Sequence, residues 1–144
     1  MALVDDCVFC KIIRGEIPCC KIHEDDLLLS FLDLSPFNYG HALIIPKAHH
    51  HSITTLPAEY AHAMIDLAPK VAVAQMRELG NEAFNLLMNN GSIAGQSVPH
   101  VHLHVIPRTV NDDPLFNPFK KQYESMAKMA ELAQAIAGRL AAKA

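Results

Sequence analysis

Polar and apolar residues alternate without a break over His100-Val101-His102-Leu103-His104-Val105-Ile106. A β-strand has a side-chain period of two, so this spacing predicts a strand with three histidines in a row on one face. Val101, Leu103 and Val105 then face the opposite way, into a core. On a helix the same histidines would fan around the axis, and the interleaved Val and Leu favour the strand. Pro107 is expected to end it. Leu27 to Leu32 is a second apolar run, followed by Asp33. Ser35-Pro36-Phe37-Asn38-Tyr39-Gly40 carries turn residues. His41-Ala42-Leu43-Ile44-Ile45, closed by Pro46, reads as the partner strand of a hairpin-like pair. Phe84 to Asn89 predicts one more strand, and Gly91 to Pro99 a loop of small residues leading into the histidines.

Helical periodicity marks three segments. Cys7 to Arg14 suffices for a turn or two before Gly15 and Pro18. Ala61, Met64, Ile65, Ala68, Val71, Ala72, Met76 and Leu79 fall on one face of a long helix from about Pro57 to Leu79. Gly80 is its stop, and Pro69 is expected to kink or split it. From Gln122 onward an Ala-rich stretch with Met126, Met129, Leu132, Ile136 and Leu140 predicts a final helix, after an irregular segment over Asn111 to Pro118. Strands with one long helix and no regular βαβ alternation imply an α+β fold with a mainly antiparallel sheet.

The 144 residues suit a single domain with its own core. A formal charge of −3 offers no electrostatic footprint for nucleic acid. No apolar run is long enough to span a membrane, and no basic-then-apolar leader opens the chain. The expected setting is therefore cytoplasmic and reducing. There, Cys7-Val8-Phe9-Cys10 reads as metal or redox chemistry rather than as disulfides. The C-x2-C spacing lets two thiolates share one tetrahedral ion. Cys19 and Cys20 are adjacent and do not form a second such pair, so further ligands must come from elsewhere: His49, His50, His51 and His100 are the candidates.

The histidine row can supply a nucleophile, a proton carrier or a donor to phosphate. Ser97 and Gln96, on the small-residue loop, bring a hydroxyl and an amide within reach of the same face. Asp33 is an acceptor suited to a ribose diol, and equally to capping the turn before Ser35-Pro36. Asn89 ends a strand where its amide can bond sugar or phosphate. Leu27 to Leu34 and Ile44 offer apolar side chains for a base, though such a stripe is more often core.

His100-Val101-His102-Leu103-His104-Val105-Ile106 resembles the signature of the histidine-triad (HIT) family. The likeness extends through Phe9-Cys10-Lys11-Ile12-Ile13-Arg14-Gly15-Glu16-Ile17-Pro18 and Phe31-Leu32-Asp33-Leu34-Ser35-Pro36. It continues in Gly40-His41-Ala42-Leu43-Ile44-Ile45-Pro46-Lys47, Asn89-Asn90-Gly91 and Gly95-Gln96-Ser97. It is nearest to Hint-like and bacterial-type members with an N-terminal CxxC.

The resemblance implies a five-stranded, mainly antiparallel sheet with one long central helix, a short N-terminal helix and an extra C-terminal helix. It implies one HIT domain over 1–144, with a core of about 7–108 and an extension over 109–144. It implies a homodimer that binds purine nucleotides and attacks the α-phosphorus. His102 then matches the nucleophile, through a nucleotidyl-histidine intermediate. His104 donates to phosphate, Ser97 assists the leaving group, and His41 supports the site from beside the triad. Asp33, Asn89, Gln96, Ser97, His102 and His104 are the expected substrate-binding set. Cys7, Cys10, His49 and His100 are the expected ligands of a structural zinc. The expected reaction is hydrolysis of a nucleoside phosphoramidate or related adenylated compound. Alternatives are dinucleoside polyphosphate cleavage, a nucleotide-binding interaction module with incidental catalysis, and a purely structural zinc protein.

Overall fold

The computed structural model describes residues 2–115 and 121–141. A short helix, α1 (Val8–Ile13), precedes strands β1 (Lys21–Glu24), β2 (Leu28–Leu32) and β3 (Ala42–Pro46). The long helix α2 (Ala58–Leu79) leads to β4 (Ala83–Leu87) and β5 (Leu103–Arg108), and a last helix, α3 (Met126–Ala141), follows. The five strands form one sheet in the order β1-β2-β3-β5-β4, with every pairing antiparallel. This is the expected α+β architecture.

The sheet and its covering helices lie within residues 1–111, a compact unit; residues 112–144 form a second unit and contain α3. The irregular segment expected over Asn111–Pro118 is described as far as Leu115; the rest of it lies outside the described residues, as do residues 142–144.

The period-two pattern sorts the strand residues onto two faces. Leu28, Ala42, Ile44, Val101, Leu103 and Val105 pack with Met64, Ala68, Val71 and Ala72 of α2. Leu29, Phe31, Leu43 and Ile45 face the other way, against Cys7, Phe9 and Cys10 of the N-terminal segment. The face opposite α2 is covered by the six-residue helix α1 together with Leu3, Val4, Cys19 and Val98 from the segments around it. Ile44 and Leu28, offered above as contacts for a base, belong instead to the core under α2, because their Cβ atoms point to that face.

Helix α2 runs unbroken through Pro69, contrary to expectation. Pro69 sits on the solvent-facing side, where water can satisfy the carbonyl that the missing N–H leaves free. Gly80 ends the helix in the left-handed region, φ +74°, with its N–H on the Met76 carbonyl at 2.9 Å.

Strand β5 starts at Leu103, later than the alternation predicts. Upstream, the backbone bonds to loops rather than to strands: Val101 N–H donates to the His50 carbonyl at 2.7 Å, and His100 N–H to Val98 at 2.8 Å. The strand also continues through Pro107 to Arg108. Strand β3 pairs with β5 only as far as Val105, so Pro107 lies past the end of β3 and its missing N–H costs no ladder bond. Its carbonyl takes the Asn38 side-chain amide at 2.8 Å. Strand β1 has no counterpart in the reading of the residues themselves. It is a polar edge strand, Lys-Ile-His-Glu, mostly exposed and with no apolar alternation to reveal it.

Candidate active site and metal centre

Four of the expected residues line one cavity of about 470 Å³ on the face of the sheet opposite α2: Asp33, Ser97, His102 and His104. Its walls are apolar, with Phe9 and Ile12 from α1, Ile17, Phe31, Leu32 and Leu43 among them. The mixture of an apolar slot and a few convergent polar groups is what a small organic ligand needs. The contributions of Val8, Phe9, Ile12, Ile17, Cys19 and Cys20 were not visible in the sequence. Val8, Phe9 and Ile12 lie on α1 and the other three follow it, so they meet the cavity across the fold, where that helix docks on the sheet.

Hydrogen bonds to the backbone fix the protonation of each ring. Carbonyls only accept, so the 2.7 Å contact from His102 Nδ1 to the His100 carbonyl places a proton on Nδ1. In the neutral ring the lone pair is then on Nε2. The Phe37 N–H donates to His41 Nδ1 at 3.0 Å. His41 Nε2 must therefore carry the proton, and it donates to His104 Nδ1 at 2.9 Å. His104 is left with its proton on Nε2. One histidine thus presents a lone pair and its neighbour an N–H, with ring centroids 4.8 Å apart.

Burial is the first cause of lowered pKa values at all three rings. His104 is pushed down to about 4, with the neighbouring His102 and His41 adding to the effect and Asp33 opposing it. His102 and His41 are also lowered, each partly offset by Asp33. Neutral rings at neutral pH follow. Asp33 Oδ2 lies 3.7 Å from His41 Nε2, and its Oδ1 accepts the Ser35 N–H at 2.9 Å. The carboxylate therefore caps the turn and faces the cavity as well.

Two expected ligands are placed differently. The Gln96 side chain is committed to backbone: Oε1 accepts from Gly91 N–H at 2.7 Å, and Nε2 donates to the carbonyls of His51 at 2.7 Å and Val98 at 3.0 Å. It holds the loop that carries Ser97 instead of lining the cavity. Asn89 is likewise outside the lining and donates to the Gly95 carbonyl at 3.4 Å.

Behind the cavity, Cys7, Cys10, His49 and His100 converge, with one ligand atom of each inside a 4.8 Å span. His100 Nδ1 is 3.5 Å from Cys7 Sγ and 3.6 Å from Cys10 Sγ, and His49 Nδ1 is 3.4 Å from Cys10 Sγ. Zinc bonds of about 2.3 Å to sulfur and 2.0–2.1 Å to nitrogen at a tetrahedral angle put S and N about 3.6 Å apart, so the residues fit the ion. His100 Nε2 is on the Pro46 carbonyl at 3.0 Å, which leaves Nδ1 as the lone-pair atom facing the thiols. Burial pushes His100 down to about 4, so it is neutral and able to ligate, and burial pushes the Cys10 thiol up. His50 stands apart from the cluster, near the Thr55 hydroxyl at 3.4 Å. The row of three is therefore divided: His102 and His104 face the cavity, while His100 faces the thiols.

The HIT domain model matches residues 14–111. Adenylylsulfatase HINT3 of Arabidopsis thaliana is 48% identical over 110 residues, covering 76% of this chain and 56% of that protein. The chain thus spans little more than half the length of that relative. Adenosine 5'-monophosphoramidase hnt1 of Schizosaccharomyces pombe is 47% identical over 102 residues, 71% of this chain and 74% of that protein. Among solved structures, a HIT family member from Bacillus subtilis superposes with a TM-score of 0.86 at 39% identity, covering 96% of this chain and all of that one. A Zn-bound histidine triad family protein from Mycobacterium smegmatis gives 0.73 at 37% identity, with 92% and 97% covered.

Proposed function

Because this chain belongs to the HIT family, we propose that it hydrolyses purine nucleotide derivatives at the α-phosphorus, with His102 as nucleophile. The favoured substrate is a nucleoside phosphoramidate or related adenylated compound, and the product is the nucleoside monophosphate. The observation that carries this reading is the bond from His102 Nδ1–H to the His100 carbonyl, which leaves the Nε2 lone pair as the nucleophile.

In the first step Nε2 attacks phosphorus and the bond to the leaving nitrogen breaks. The Ser97 hydroxyl helps deliver the proton that the departing amine takes up. Charge accumulating on the phosphate oxygens is met by the His104 Nε2–H, held in that tautomer by His41. In the second step water attacks the same phosphorus and its released proton restores the Ser97 hydroxyl, while the P–N bond to His102 breaks and the ring recovers its lone pair. The Asp33 carboxylate accepts from the ribose hydroxyls, and the slot between Phe9, Ile17 and Phe31 takes the purine. Asn89 and Gln96 act by shaping the loop around the phosphate rather than as direct ligands.

Cys7, Cys10, His49 and His100 would hold a zinc ion that supplies structural cross-linking, its four positions filled by protein. Residues 7–108 act as the catalytic unit. Strand β4 is an open sheet edge with Phe84 and Leu86 partly exposed, which suits pairing with a second copy in a homodimer. No helix among the described residues is long and apolar enough to cross a membrane, and a site needing reduced thiols suits the cytoplasm.

The test is product release from an adenosine phosphoramidate, adenylyl sulfate and a diadenosine polyphosphate, with wild type and His102→Ala. Release of AMP by wild type and its loss in the variant is expected. The rank order of the three substrates identifies the preferred leaving group. Equal rates in wild type and variant would remove His102 from the chemistry.

A further inference from the structure

Cys7 and Cys10 are separated by Val8 and Phe9, and those two intervening residues line the nucleotide cavity. The first turn of α1 therefore has two sides: its thiols face the histidine cluster, and its apolar side chains form a cavity wall. The Phe9 ring stands edge-on to His102, with centroids 5.1 Å apart and planes at 88°. It also meets His100 at 5.8 Å and Phe31 at 5.6 Å in the same manner. A second connection runs through the chain itself, since the ring of His100 faces the thiols while its carbonyl holds His102 Nδ1–H.

A six-residue helix is far below the length that is stable alone. Its position depends on what docks it: apolar packing of Cys7, Phe9 and Cys10 on the sheet, and on the thiol side weak polar contacts of sulfur with the two imidazoles at 3.4 to 3.6 Å. An ion bonded to both thiols and both imidazoles replaces those contacts with four strong bonds. It thereby fixes the turn that carries Phe9.

We propose that Phe9, besides walling the purine slot, positions the nucleophile, and that metal binding at Cys7, Cys10, His49 and His100 acts through it to strengthen nucleotide binding. The inference rests on the nucleotide-hydrolase reading above. Coupling between two binding sites is reciprocal, so nucleotide must tighten metal binding by the same factor that metal tightens nucleotide binding.

The test uses the full chain, loaded with zinc or stripped by a chelator. AMP binding is measured by calorimetry in both forms. Zinc affinity is measured by competition with a chromophoric chelator, with and without AMP. Zinc is expected to tighten AMP by roughly fivefold or more, within the usual range for coupled sites, and AMP to tighten zinc equally. In zinc-loaded Phe9→Leu, one zinc per chain is retained, the AMP-dependent gain in zinc affinity is lost, and the ¹⁵N shifts of the His102 ring move toward a mixture of tautomers. This variant also decides the matter if the stripped chain unfolds. Equal AMP affinity in loaded and stripped protein, or an undiminished gain in Phe9→Leu, overturns the coupling and leaves the hydrolase reading standing. Failure of the chain to take up zinc overturns it too. Absence of AMP binding in either form removes the nucleotide reading itself, and the coupling with it.

Discussion

His41 donates its Nε2 proton to Nδ1 of His104 across 2.9 Å, although the two residues are 63 positions apart. The Phe37 N–H makes this direction obligatory by occupying His41 Nδ1. A backbone amide thus decides, through one histidine, which nitrogen of the next presents a proton to the cavity.

Removing the relay should therefore cost turnover more than binding. His41→Ala frees His104 to take either tautomer, and a preference of about 1.4 kcal/mol corresponds to roughly tenfold. A fall of that order in kcat with little change in KM is expected. His41→Gln, whose amide can still donate, should recover part of it. An equal rise in KM with kcat untouched would assign His41 to binding.

The donor itself matters more. His104→Ala removes an N–H aimed at developing charge, a change worth about 10²- to 10³-fold in kcat. Steady-state kinetics on an adenosine phosphoramidate reads this. A variant within twofold of wild type would exclude the assignment.

Folding stability should fall on mild acidification. His104 is held at about 4 by burial, reinforced by His102 and His41 and opposed by Asp33. Its unfolded value is about 6.5. Between these two values the unfolded chain binds a proton that the folded chain refuses, so acidification favours unfolding. The stabilisation is complete above about pH 6.5, is lost progressively toward pH 4, and changes no further below that through this group. Urea midpoints at pH 7, 5.5 and 4 should decline in that order, less steeply in His104→Gln. A midpoint constant over the range would contradict the burial of the ring.

The loop before His41 is a further point of sensitivity. Gly40 has φ +85°, and a Cβ there would stand 2.5 Å from Leu79 Cδ1. Its carbonyl also accepts from Gln75 Nε2 at 2.7 Å. Gly40→Ala should cost at least about 1 kcal/mol, seen as a lower thermal midpoint. An unchanged midpoint would show that the loop relaxes freely.

Metal loss should be visible as a stability change. Cys10→Ser breaks the four-ligand set, and each lost kcal/mol lowers Tm by about 4 °C in a domain of this size. The variant should melt at least about 5 °C lower and ignore added zinc, while wild type responds to it. A zinc response that survives in Cys10→Ser would show that the ion sits elsewhere.

The main elements could be read from the sequence because β2 and β3 are apolar runs bounded by turn residues, β5 alternates, and α2 keeps one apolar stripe. Strand β1 could not, because a polar edge strand has no buried face to pattern. The start of β5 was placed too early since alternation reports side-chain spacing, not whether a neighbour is present to pair; His100 and His102 keep the spacing while bonding to loops. Pro69 and Pro107 escape their usual penalties through positions in space that no local rule contains. The same limit applies to the site. His102, His104 and Ser97 sit in one short stretch and are legible together. Phe9 reaches His102 only across the fold, and the commitment of the Gln96 amide to three backbone groups depends on His51 and Gly91, which only the folded loop brings near.

The central claim is that His102 Nε2 becomes bonded to phosphorus. Intact-protein and peptide mass spectrometry after rapid mixing with an adenosine phosphoramidate tests it most directly. The account predicts one AMP per chain, mapped to His102 and missing in His102→Ala. Turnover with no adduct at any time point, or an adduct of equal yield in His102→Ala, would contradict it.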